Sequence, residues 1–150
     1  MSADRIRFMK RRVCAGGVRP LLLVCVLVSC FTSIQVEAAS ADRWQQLTDK
    51  GIAAREQARY RDAEQLFLAA AQEAEPFGAA DTRVAATFNN LGLVLHEQGL
   101  HARAKSYYER ALAVWEQVLG PEQAEVATAL HNLAEIYQQE GELEQAKAYY

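Results

Sequence analysis

Three histidines, His96, His101 and His131, are the only imidazoles of the chain and the first residues to weigh as metal ligands. A zinc site needs three or four N, S or O ligands converging on one point. His96 and His101 are separated by Gly99, a helix breaker, and no cysteine or clustered carboxylate accompanies any of the three. They read as solvated or groove-lining side chains. Ser40 and Ser106 have no His and Asp at motif spacing, no Gly-rich phosphate loop occurs, and acidic pairs such as Glu142 and Glu144 suit a solvated helix surface. No catalytic residue, cofactor site or metal site is expected. What remains is amide chemistry: Asn90 and Asn132 hold the same place in two matching phrases, and an amide both donates and accepts hydrogen bonds.

Those phrases are "NNLGLVLHEQG" at residues 89–99 and "HNLAEIYQQEG" at residues 131–141. Aligning them puts Val84 over Val126, Gly99 over Gly141, Ala104 over Ala146, and Tyr107 and Tyr108 over Tyr149 and Tyr150. A fainter copy lies upstream, where Gly51, Ala63 and Phe67 precede Gly92, Ala104 and Tyr108 at one constant interval. Val84, Phe88, Leu91, Gly92 and Leu95 recur at helical spacing, and Gly99 ends that helix because glycine reaches the left-handed cap conformation without steric cost. Ala104, Tyr107, Tyr108, Ala111, Leu112, Trp115, Val118 and Leu119 then form one apolar face of a second helix, which Gly120 and Pro121 stop. Each unit is a helical hairpin, with units at about 44–83, 84–125 and 126–150. Gly92, Ala134, Ala104 and Ala146 mark close helix approaches, while Phe88, Tyr108 and Trp115 fill the space between units. No hairpin buries its own face, so stability is collective.

The segment before Ser40 is a different object. It holds all three cysteines, six of the sixteen basic residues and only two acidic ones, Asp4 and Glu37. A basic run, Arg5 to Arg19, precedes the uncharged block "LLLVCVLVSCFTSI" at residues 21–34, the order of a secretory signal, and "VEA" at residues 36–38 offers a cut between Ala38 and Ala39. Two variants stay open. "LVSC" resembles the bacterial lipoprotein box, which makes Cys30 a candidate for lipidation, and an uncut block is just long enough to anchor the chain in a bilayer. All three variants place residues 39–150 beyond the cytoplasmic membrane, in the periplasm or outside the cell, and restrict membrane contact to the N-terminal segment. From residue 40 onward seventeen acidic residues face ten basic ones, a net charge of −7 with His neutral. That surface excludes general binding to nucleic acid, whose phosphates need a basic face.

"NLGLVLHEQGLHARAKSYYERAL" resembles a tetratricopeptide repeat, with Leu91, Gly92, Gly99, Ala104, Tyr108 and Ala111 in the pattern positions. The third unit supplies Leu133, Ala134, Tyr137, Gly141, Ala146 and Tyr150; the first supplies Gly51, Tyr60, Ala63, Phe67 and Ala70, with Lys50 in place of the Leu, the mark of a polar end cap. The unit, longer than the ordinary tetratricopeptide repeat, is similar to the longer repeats of kinesin light chains. The resemblance implies an all-α fold, a right-handed α-solenoid of antiparallel helical hairpins whose first helices line a concave groove. It implies a protein or peptide partner and no enzymatic activity. By repeat position the groove lining is Thr48, Ile52, Arg55 and Glu56, then Asn89, Asn90, Leu93, His96 and Glu97, then His131, Asn132, Glu135, Gln138 and Gln139. Asn90 and Asn132 match the asparagine that bonds the peptide backbone in kinesin light chain-like repeats; the other reading is that they only bond neighbouring helices. A third unit that stops at Tyr150 implies either pairing with a second copy through that end or a longer exported chain whose enzymatic domain, such as a peptidase, follows residue 150.

Overall fold

The computed structural model describes the backbone of residues 19–150 and the side chains of residues 38–150. The basic run of residues 5–12 and the side chain of Cys30 lie outside the described residues. Six helices follow one another among the described residues: α1 (Arg19–Glu56), α2 (Tyr60–Ala74), α3 (Thr82–Glu97), α4 (His101–Leu119), α5 (Ala124–Gln139) and α6 (Leu143–Tyr149), with a 3₁₀ turn at Glu75–Phe77. There is no strand among the described residues, and none of their helices is long and apolar enough to cross a membrane. The chain divides into two units, Met1–Ala38 and Ala39–Tyr150; the array is the second.

The helices that open the three hairpins end in the same way. After α3, the Gly99 amide donates to the His96 carbonyl at 2.8 Å and the Leu100 amide to the Leu95 carbonyl at 2.9 Å, a paired cap that requires a left-handed residue at position 99. Gly99 has φ 74° and Gly141, after α5, has φ 80° with the equivalent bonds. At the end of α1 the same two bonds form around Ala58, at φ 56°. An alanine therefore holds a position that the other two hairpins give to glycine, which is why the turn is invisible as a glycine signal. The closing helices α2 and α4 stop at Gly78 and Gly120, with φ 90° and 87°.

Start signals are weaker. Among the helix starts within the described residues only that of α3 has a side-chain cap: Asp81 accepts the Arg83 amide at 2.8 Å, and the Arg83 guanidinium folds back onto the same carboxylate. Those contacts, led by the side-chain bond from Arg83, hold the Asp81 carboxyl below the usual carboxylate range against the opposing effect of burial.

Packing follows the repeat. Ala54, Ala63 and Phe67 of the first hairpin meet Leu91 and Val94 of α3. Ala85, Ala111 and Trp115 of the second meet Val126 and Ala129 of α5, and Leu95, Ala104 and Tyr108 meet Leu133 and Ile136. Each cluster joins one hairpin to the first helix of the next, the nearest-neighbour arrangement expected of stacked repeats. Burying a side chain such as Phe67 or Leu133 contributes roughly 1.5–3 kcal/mol. A Cβ added at Gly92 stands 2.5 Å from the Tyr108 ring, and one at Gly51 stands 2.7 Å from the Phe67 ring. The first hairpin thus packs through the same glycine–aromatic pair as the second, with Lys50 exposed beside it. The third differs. Ala134 fills the space that glycine leaves open, and Tyr150, aligned in sequence with Tyr108, is 70% exposed rather than buried.

Candidate peptide-binding groove

Helices α1, α3 and α5 stand side by side and are cross-linked by polar side chains in constant register. Trp44 Nε1 donates to Thr87 Oγ1 at 2.9 Å, Asn132 Nδ2 to Asn89 Oδ1 at 3.0 Å, and His96 Nε2 lies 3.0 Å from Gln139 Oε1, each pair 43 residues apart. Arg55 approaches Glu97 to 4.0 Å. The spacing of the rungs is therefore set by the repeat length, with neighbouring first helices offset by a single position.

This ladder separates the two asparagines that the repeat makes look equivalent. Asn132 is 8% exposed and is engaged with Asn89 on the neighbouring helix. Asn90 is half-buried, and its amide has no hydrogen-bond partner among the described residues. The helix-bonding reading describes Asn132; the Asn90 amide makes no such bond. Thr48 also departs from the expected lining. It is 6% exposed, with a buried hydroxyl, so it belongs to the packed floor rather than the surface. Ile52 and Leu93 are half-buried against the core clusters, and Glu56 and Glu97 are exposed.

The structure brings His131, Glu135, Gln138 and Gln139 together around a cavity of about 470 Å³, and Tyr150 closes its side. The Tyr150 hydroxyl donates to Gln138 Oε1 at 3.2 Å and its ring lies edge-on to His131, centroids 5.8 Å apart. The repeat pattern aligns Tyr150 with the buried Tyr108, but the structure leaves it on the surface beside His131 and Gln138. Under the floor lies Tyr108. Burial pushes its phenol well above the ordinary range, the carboxylates of Glu135 and Glu97 push the same way, and Arg55 opposes them. The surface above is acidic: Glu56, Glu97 and Glu135 are exposed, against Arg55, which is already paired.

The turn at Gly99 does not keep His96 and His101 apart, as the helix break alone would imply. The hairpin folds them edge to face with centroids 5.5 Å apart. No group of three or more His, Cys, Asp or Glu side chains able to hold a metal occurs among the described residues.

Three stacked hairpins, glycine–aromatic packing and a first-helix face open to solvent decide the architecture. The fold is that of a tetratricopeptide-repeat solenoid. Residues 83–150 match the family model described as tetratricopeptide repeat. The first hairpin lies outside that match, yet repeats its cap at Ala58 and, through Gly51 and Phe67, its Gly92–Tyr108 contact. Among solved structures, the tetratricopeptide-repeat domain of Arabidopsis FLU has a TM-score of 0.67 at 21% identity, covering 74% of this chain and 91% of that one. The N-terminal domain of stress-induced protein-1 from C. elegans has a TM-score of 0.62 at 20% identity, covering 74% and 81%. BtubC (BKLC) from P. vanneervenii has a TM-score of 0.67 at 21% identity over 71% of this chain, which spans 42% of the length of BtubC. No curated protein matches the chain.

Proposed function

We propose that residues 39–150 form an exported, non-catalytic scaffold that holds an extended peptide or a partner helix along the face of α1, α3 and α5. The observation that carries this reading is the division of labour along the polar ladder. Asn132 with Asn89, and His96 with Gln139, tie the helices together, while the Asn90 amide stays unengaged and Glu135 and Gln138 line an open cavity. Asn90 then bonds a peptide backbone, donating and accepting as in kinesin light chain-like repeats. The exposed Glu56 and Glu135, neither of them in an ion pair among the described residues, favour a partner with Lys or Arg side chains, since opposite charges meet across an interface more readily than like ones. Export rests on the basic run followed by an apolar block at residues 21–34.

Panning a random peptide display library against the full chain tests the groove. Recovered peptides should be rich in basic residues and should lose binding about tenfold or more to Asn90→Ala/Glu135→Ala, with the melting temperature unchanged. Peptides that bind the double variant as well as the parent would place the site elsewhere, and an absence of enriched peptides would remove the reading. The intact mass of the protein from its native cell envelope tests export. A chain starting at Ala39, or one starting at Cys30 with a lipid increment, supports it; an unprocessed chain recovered from the cytoplasm refutes it.

A further inference from the structure

The opposite side of α3 carries a second concavity. At about 100° per residue, Val84, Phe88 and Leu91 share one face of the helix, roughly opposite Leu93 and the groove. They floor a cleft of about 540 Å³ walled by Leu68, Ala71 and Gln72 of α2 and by Tyr107 and Arg110 of α4. Glu75 and the backbone at Gly78 and Ala79 complete one end.

Two features of this cleft stand out. Its walls are largely apolar yet uncovered, with Leu68 41% exposed. Its one cation is held in place without a counter-ion. The Arg110 guanidinium lies 3.9 Å from the centroid of the Phe88 ring and 5.6 Å from that of Tyr107. Among the described residues it makes no ion pair, whereas Arg43, Arg55, Arg59, Arg83 and Arg103 each have a carboxylate within 4.0 Å. Contact with the Phe88 ring engages the face of the cation without satisfying its N–H groups, and a planar guanidinium can receive a carboxylate in bidentate fashion.

We propose that this cleft is a second recognition site, taking a short acidic segment of a partner protein. One aliphatic or aromatic side chain enters between α2 and α4, and a neighbouring carboxylate meets Arg110. The charge of the occupant follows from the unpaired guanidinium seated on the Phe88 ring. The Glu75 carboxylate, also without an ion pair among the described residues, stands at the turn beside Gly78, so the acidic residue of the segment must lie at the Arg110 end. Its peptide nature follows from the openness of the cleft: a long-chain fatty acid needs its tail enclosed, whereas a peptide buries one side chain and keeps its backbone in water. The site is opposite in preference to the acidic groove, so the two faces select different segments and a partner can be held at both.

The test is NMR titration of the full chain with N-acetyl-Leu-Phe-Asp-Glu-amide, with N-acetyl-Leu-Phe-Lys-Lys-amide, and with decanoate. The acidic peptide should give saturable shifts at Leu68, Val84, Phe88 and Arg110. Its affinity should fall about tenfold in Arg110→Gln and stay unchanged in Asn90→Ala. Arg110 is exposed, so its replacement leaves the fold intact, and a circular dichroism spectrum checks this. Equal binding of the basic peptide, indifference to Arg110→Gln, tighter binding of decanoate, or no saturation with the acidic peptide at millimolar concentration would each overturn the proposal. Failure of the groove leaves these outcomes untouched, because Asn90 and Arg110 report on opposite faces of α3.

Discussion

Ala58 is the most informative single position in the array, because it carries the strain that its two counterparts avoid. Its φ of 56° matches those of Gly99 and Gly141, and its amide donates to the Arg55 carbonyl at 2.8 Å in the same cap. A left-handed alanine costs roughly 1–2 kcal/mol through crowding of its Cβ against the backbone. Replacing it with glycine removes that cost but returns about 0.4–1 kcal/mol of freedom to the unfolded chain. Ala58→Gly is therefore expected to stabilise the protein by about 0.5–1 kcal/mol, a rise of roughly 3–5 °C in Tm for an array of this size. The converse change, Gly99→Ala, should destabilise by a similar amount. A Cβ at Gly99 meets nothing within 4 Å, so backbone strain is the whole effect. Urea denaturation followed by far-ultraviolet circular dichroism reads both changes as opposite shifts in midpoint at constant slope. If Ala58→Gly lowers the midpoint, or Gly99→Ala leaves it unmoved, the account of the shared cap is wrong.

Two further expectations concern packing and capping. Gly92→Ala places a methyl 2.5 Å from the buried Tyr108 ring; overpacking of roughly 1–3 kcal/mol outweighs the helical gain of about 1 kcal/mol, leaving net destabilisation. In a Tyr108→Ala background the same change should become neutral or favourable, which a double-mutant cycle measures directly. Asp81→Ala should cost about 1 kcal/mol at neutral pH through loss of the α3 cap. Because the folded carboxyl titrates below its ordinary value of 3.8, the Asp81 contribution is present above that pH and is lost as pH falls through the folded value. The stability gap between parent and variant should therefore narrow below pH 3.8, and a gap constant across the acid range would contradict the assigned role.

The tandem array, the hairpin in each unit and the glycine stops at 99, 120 and 141 can all be read from the chain without coordinates. These are local quantities: apolar spacing sets a helix face, and φ preference sets where the chain turns. Gly92 as a close helix approach and Tyr108 as a filling aromatic are likewise legible; that the two touch is shown only by the folded hairpin. The remaining features depend on the register between neighbouring helices, which no local pattern encodes. Asn90 and Asn132 occupy the same repeat position, yet Asn132 has Asn89 of the preceding unit beside it, and Asn90 has the differently composed first hairpin on that side, with no amide partner there. Thr48 goes to the floor and Tyr150 to the groove rim for the same reason, since the neighbour of each differs while its repeat position does not. The Ala58 cap escapes a sequence reading because alanine disfavours a positive φ, and only the two cap hydrogen bonds of the folded turn reveal it. The cleft at Arg110 escapes it because residues of α2, α3 and α4, drawn from two different hairpins, meet there only once the hairpins stack.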